Sequence, residues 1–164
     1  MLLTIFSAIP IAVLRLRVFT ELNMNNRRSY VGHNLSNRDF SGQDLRQADF
    51  RNSILKGVNF ANANLENANF SSAYLDGASF LESNLARATF HRAYLVGAEF
   101  KGASLTAAIF ERACLICANF ENANLVGADF TNANLNAAAV DIAGLSDCRL
   151  ADTTLPDGTM APAM

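Results

Sequence analysis

The chain has 164 residues, 51% of them apolar, no tryptophan and a formal net charge of −2; it can build one packed core and is too apolar for a disordered chain. Its 13 lysines and arginines stand against 15 aspartates and glutamates without gathering into a run, so the electrostatic footprint of a nucleic-acid binder is missing. Three cysteines do not make the framework of a small secreted domain, and reduced thiols are the simpler reading.

Residues 1–30 form the first segment. Positions 1–14 are mostly apolar, short of the roughly 20 residues that span a bilayer, and no basic residue precedes them as an export signal requires. Arg15 and Arg17 follow instead. Three readings stay open: a helix that caps the adjoining structure, a membrane-associated or export segment, and a start at Met24. The short length favours the first and the third, although Pro10 argues against an unbroken helix. Membrane association, if any, runs through residues 1–23, and the cytoplasm is the expected compartment.

Residues 31–155 repeat with a period of five. Every fifth residue from Leu35 to Leu155 is Leu, Phe or Val, 25 positions without a gap. Two places before each sits a small residue, nearly always Ala from Ala63 to Ala143, with Ser83 the exception. A helix turns about 100° per residue, so five residues overshoot a full turn by about 140° and an apolar stripe would wander round its surface. Ala-Asn-Leu instead alternates in, out, in as a short half-buried strand does, and the next two residues make a turn. Each pentapeptide is one short side of a coil.

The alternation of Leu with Phe sets the number of sides. Three sides would stack Phe on Leu, whereas four stack Phe on Phe and Leu on Leu; two sides, or ten residues, cannot enclose two inward rows. The expected fold is therefore all-β, a parallel quadrilateral β-helix of about 20 residues per coil and roughly six coils, with neighbouring coils about 4.8 Å apart. Its core is read as Leu55, Phe60, Leu65, Phe70, Leu75, Phe80, Leu85, Phe90, Leu95, Phe100, Leu105, Phe110, Leu115, Phe120, Leu125, Phe130 and Leu135. Each contributes roughly 1.5–3 kcal/mol when fully buried. Outward Asn64, Asn84 and Asn124 are placed to form side-chain ladders along the rod.

Both ends depart from the pattern. His33, Arg38 and Gln43 occupy inward positions that Ala fills elsewhere, which predicts an open, irregular or partly covered first coil. Cys148 and Thr153 replace Ala before Pro156, where strand pairing is expected to stop and a short tail, residues 156–164, to begin. Uncovered end coils present strand edges and favour oligomers by end stacking.

The run ANFENANLVGADFTNANL, residues 118–135, resembles the A-(N/D)-(L/F)-x-x signature of pentapeptide-repeat proteins. The resemblance covers residues 31–155 and implies a right-handed quadrilateral β-helix. It implies little about activity, since the family, widespread in bacteria, consists mostly of members with no known biochemical activity.

Motifs for chemistry are missing. The sequence contains no Gly-rich phosphate loop, G-x-S-x-G or H-E-x-x-H, and His33 and His91 fall on different sides of the inferred rod. Cys114 and Cys117 form a C-x-x-C across Leu115 in a strand, not at the helix N-terminus that activates such thiols, and no second pair completes a zinc site. The expectation is a non-enzyme with no cofactor, no metal, no small-molecule substrate and no nucleic acid.

Function then falls to the outward residues. The side of Leu55, Leu75, Leu95 and Leu115 shows Ile54, Tyr74, Tyr94 and Cys114 just before the core residue. Just after it come Lys56, Asp76, Val96 and Ile116, edged by Gly57, Gly77 and Gly97. Ile54, Tyr74, Tyr94, Val96 and Ile116 are read as a contact surface for an unidentified protein partner; the bland alternative is that such residues are good strand formers. Arg92 and Arg112 stack one coil apart and read, with Glu111, as solvated charges. The main expectation is a structural or scaffolding module. The alternative comes from the resemblance: some family members mimic DNA and bind type II topoisomerases, protecting gyrase from quinolones. Residues 31–155 carry 13 acidic and 9 basic residues, interleaved rather than in phosphate-like rows, and lack the C-terminal helix through which those members resemble dimers.

Overall fold

The structure, a computed structural model, describes residues 21–22 and 28–163. The readings offered for residues 1–20, and the start at Met24, lie outside the described residues. Strand β1 (Glu21–Leu22) pairs antiparallel with β2 (Arg28–Ser29), and Ser29 then bridges Asp49 in parallel. From there the chain winds through coils in which outward residues bridge the residue 20 further on, from Asn34 and Ile54 to Asn134 and Thr154, with Asn124 the exception.

The hydrogen bonds explain why no coil stands alone. Leu75 N–H donates to Tyr94 O at 2.7 Å, Tyr94 N–H returns to Ala73 O at 2.9 Å, and Gly77 N–H donates to Val96 O at 2.9 Å; every regular side repeats this set. Within a coil only the corner is closed, as where Ala78 N–H donates to Leu75 O at 2.9 Å. The strand ladder is thus entirely between coils.

Each corner from Gly32 to Ala137 holds its second residue at positive φ, for instance Asn62 at 58°, Gly77 at 65° and Arg92 at 56°. This left-handed region tolerates Gly and Asn best and rejects β-branched side chains. The first corner residue has an N–H that the ladder does not use. Outward Asn and Asp supply its acceptor: Asn69 Oδ1 takes Ser71 N–H at 2.9 Å, Asn119 Oδ1 takes Glu121 N–H at 2.9 Å, and Asp129 Oδ1 takes Thr131 N–H at 3.0 Å. Capping the corner, rather than building ladders, is therefore the main task of these residues. The expected Asn row is broken: Asn84 donates to Asn64 at 3.2 Å, but Ser104 separates Asn84 from Asn124.

Two columns of rings fill the rod. Tyr30, Phe50, Phe70, Phe90, Phe110 and Phe130 stack on one wall at 4.6–5.0 Å. Phe40, Phe60, Phe80, Phe100 and Phe120 stack on the opposite wall at 4.9–5.3 Å. The columns meet edge to face, at 5.7 Å and 86° between Phe80 and Phe90. The leucines from Leu55 to Leu135 are buried on the other two walls, and the alanines beside them leave room for the rings. Ser53 and Ser83 are buried at alanine positions because their hydroxyls donate to Phe50 O at 2.5 Å and Phe80 O at 2.8 Å.

The ends differ from expectation in three ways. His33, Arg38 and Gln43 are exposed, yet the first coil is regular, because Asn34, Asp39 and Asp44 bridge Ile54, Asn59 and Asn64 as later coils do. Near the other end, the side read as Ala143-Gly144-Leu145 is a 3-10 helix, Ile142–Leu145, capped by Asp141. Neither Ile142 nor Asp147, the second corner residues on either side of it, takes positive φ; Ala143 is exposed there, although Leu145 stays buried. Finally, pairing does not stop at Pro156, whose carbonyl still accepts Ala137 N–H at 2.9 Å. The chain then folds back, Thr154 bridging Met160 antiparallel and Ala161 N–H reaching Thr153 O at 2.8 Å, which covers the strand edge on that side.

Phe90 is fully buried and touches four rings, Phe70, Phe80, Phe100 and Phe110. Phe90→Ala is expected to cost about 3–5 kcal/mol, read as a lower denaturant midpoint in circular dichroism. An unchanged midpoint would contradict the central role given to the ring columns.

Candidate protein-binding face

The wall whose inner residues include Leu55, Leu75, Leu95 and Leu115 differs from the other three on its outside. Ile54, Tyr74, Tyr94 and Cys114 bridge one another in successive coils. Tyr74 is 42% and Tyr94 48% exposed, with Ile54 and Val96 also exposed, while Cys114 and Ile116 are partly buried. The structure brings these sequence-selected residues onto one face. Other exposed apolar side chains, Leu81, Ile109 and Val126 among them, stand singly on other sides and corners.

The tyrosine rings stack at 5.0 Å and 4°. Each therefore hides much of the other's flat surface and turns edges outward, which is a poor platform for a sugar or a base. Beside them, Lys56 and Asp76 pair at 3.3 Å. A Cβ at Gly77 or Gly97 would meet nothing within 4 Å, so space does not demand glycine there, and Arg92 and Cys117 hold the same kind of corner at φ 56° and 59°.

This face also forgoes the corner cap. Ile, Tyr and Cys have no oxygen that can take the place of an Asn or Asp side chain, and among the described residues the N–H groups of Lys56, Asp76, Val96 and Ile116 have no protein acceptor. Four uncapped corners in succession form the longest such row on the rod. Composition alone did not reveal this, although the Tyr-for-Asn replacement at 74 and 94 is its sequence signal.

On the preceding corner, Glu111 lies 3.4 Å from His91 and 3.6 Å from Arg112, whereas Arg92 makes no ion pair among the described residues. The charges read together in the sequence thus divide, and Arg92 stands apart. His33 bonds Val31 O through Nδ1 at 3.0 Å, away from His91. Cys114, Cys117 and Cys148 are free thiols. No group of His, Cys, Asp and Glu among the described residues could hold a metal ion. No described helix is long and apolar enough to cross a membrane.

These features define a four-sided parallel β-solenoid with one aromatic face. Residues 26–100 match the family model described as a pentapeptide repeat region, and residues 113–140 match pentapeptide repeats (8 copies). The chain belongs to the pentapeptide-repeat family, and its fold is the family's right-handed quadrilateral β-helix. It is similar to a pentapeptide repeat protein of the Arabidopsis thaliana thylakoid lumen, 38% identical over 63% of this chain and 68% of that one, TM-score 0.34. Likewise it is similar to a pentapeptide repeat protein of the cyanobacterium Cyanothece, 27% identical over 82% and 92%, TM-score 0.34. A third similar structure is QnrB1, a plasmid-mediated fluoroquinolone resistance protein, 21% identical over 79% and 82%, TM-score 0.41. No curated protein matches the chain.

Burial, and secondarily the charge of Asp147, pushes the Cys148 thiol up to about 11, whereas Cys117 is exposed. Alkylation of the folded protein near pH 8 should modify Cys117 first and Cys148 last, read by peptide mass spectrometry; equal rates would refute the placement. Hydrogen bonds from the Arg46 side chain, then its backbone N–H, hold the Asp44 carboxyl down to about 2 from 3.8. A depressed carboxylate stabilises the fold above its unfolded pKa, so this contribution is complete above about pH 4 and is lost as pH falls toward 2. Arg46→Gln should move the Asp44 titration back toward 3.8 in a carboxyl NMR titration.

Proposed function

We propose that the protein is a non-enzymatic scaffolding module that binds a protein partner through the face of Ile54, Tyr74, Tyr94, Val96 and Ile116. The observation that carries this reading is the run of exposed apolar side chains in consecutive coils, with two tyrosines stacked on each other. Partners favour clustered aromatic anchors with a polar rim, and the fold does not require them here, because Asn and Asp at the same positions cap the corners better. The proposed compartment is the cytoplasm, which suits three free thiols.

The second reading, a DNA mimic that engages a topoisomerase, needs rows of uncompensated acids. Seven of the 13 acidic residues in 31–155 stand in ion pairs, among them Asp44 with Arg46, Asp49 with Arg51, and Glu66 with Arg87. Paired carboxylates imitate phosphates poorly, so the aromatic face is favoured.

The test is a crosslinking capture from the native cell with the wild type and with a Tyr74→Asp, Tyr94→Asp double variant whose fold is checked by circular dichroism. A protein captured by the wild type and lost by the folded variant is expected. Identical capture by both would move the search to the acidic sides and the ends of the rod.

A further inference from the structure

The aromatic face is bordered by hydrogen-bond donors and positive charge, and its carboxylate, Asp76, is already paired. On one edge run the uncapped N–H groups of Lys56, Asp76, Val96 and Ile116, one per coil. On the other edge lies Arg92, two residues before Tyr94 and without an ion pair among the described residues. Between them lie the two stacked tyrosine rings, 5.0 Å apart. Of the nearby acids, Asp76 is paired with Lys56 at 3.3 Å, Glu111 with His91 and Arg112, and Glu99 on the next side accepts from Asn119 Nδ2 at 3.0 Å.

On the other sides, an Asn or Asp oxygen fills the place over the first corner N–H at many corners, as Asn69 does over Ser71 at 2.9 Å, and the gaps at Leu81, His91, Lys101, Thr106 and Glu111 run to at most two in succession along the rod. That place is vacant of any protein oxygen beside Tyr74 and Tyr94. We infer that this face binds an acidic, apolar-containing segment of a partner protein, whose carboxylates face Arg92 and the uncapped N–H row while its apolar side chains rest on Tyr74, Tyr94, Ile54 and Val96. The inference rests on the proposed protein-binding role and adds the chemistry of the occupant. Charge complementarity selects it: four uncapped N–H donors and the Arg92 guanidinium, unpaired among the described residues, are offered, and the carboxylate among the residues of this wall, Asp76, is paired with Lys56. Nucleic acid is disfavoured, because a face that offers one arginine without an ion pair among the described residues, on a chain of net charge −2, cannot neutralise a row of phosphates.

The experiment uses three fluorescein-labelled peptides of twelve residues, alternating Leu with Glu, with Gln or with Lys, and an oligothymidine of twelve nucleotides, titrated by anisotropy at low salt. The full chain is compared with Arg92→Gln and with a Tyr74→Asn, Tyr94→Asn variant. The asparagine variant restores the corner caps used on the other sides and so keeps the fold. Expected are saturable binding of the Glu peptide about tenfold tighter than the Gln peptide, weakening by about three- to tenfold in Arg92→Gln, and loss in the asparagine variant. Equal binding of the Glu and Gln peptides, preference for the Lys peptide or the oligonucleotide, or no saturable binding up to millimolar concentration would overturn the inference. A natural partner lost by Tyr74→Asp, Tyr94→Asp but kept by Arg92→Gln would leave the apolar interface standing and remove its acidic occupant.

Discussion

The spacing of stacked rings is the constraint on which the rest of the molecule depends. Backbone hydrogen bonds place neighbouring coils about 4.8 Å apart, and the phenylalanine rings repeat at 4.8–5.3 Å along the two columns, as between Phe90 and Phe110 at 4.8 Å. The two spacings agree only if every ring lies over its counterpart one coil away. Twenty residues per coil, four equal sides and small residues at every second inward place all serve that register.

The corners meet the same demand locally. A side of three residues followed by two corner residues turns only when the second takes positive φ, which Asn, Gly, Arg and even Cys117 accept. Where neither second corner residue takes positive φ, at 142 and 147, a 3-10 helix, Ile142–Leu145, replaces the strand side. The rod tolerates the defect because Leu145 still reaches the core and Gly127 N–H still meets Asp147 O at 3.2 Å.

With the core closed on all walls, outward positions are free to vary, and many of them carry Asn or Asp that cap their own corner. The Tyr74 and Tyr94 wall gives up those caps at modest cost, since exposed N–H groups find water. Its side chains are thus free of any structural duty that Asn would not perform as well, which is the physical reason for looking there for a partner.

Much of this was legible in the residues themselves. The five-residue period excluded a helix, and the alternation of Leu with Phe set four sides, because both are direct consequences of strand alternation and stacking. Tyr30 lies in the same register as Leu35 and extends the ring column, although its type hid it among the preceding residues. The clustering of Ile54, Tyr74 and Tyr94 followed from the 20-residue offset alone. What depended on the three-dimensional arrangement was where each polar group finds its partner: Asn over its own corner rather than in a ladder, the tail folded back onto Thr153, Glu111 turned to Arg112 and His91 and away from Arg92. Periodicity determines which way a side chain points, since backbone geometry repeats. Partner choice depends on distances between neighbouring coils, which only the folded chain decides.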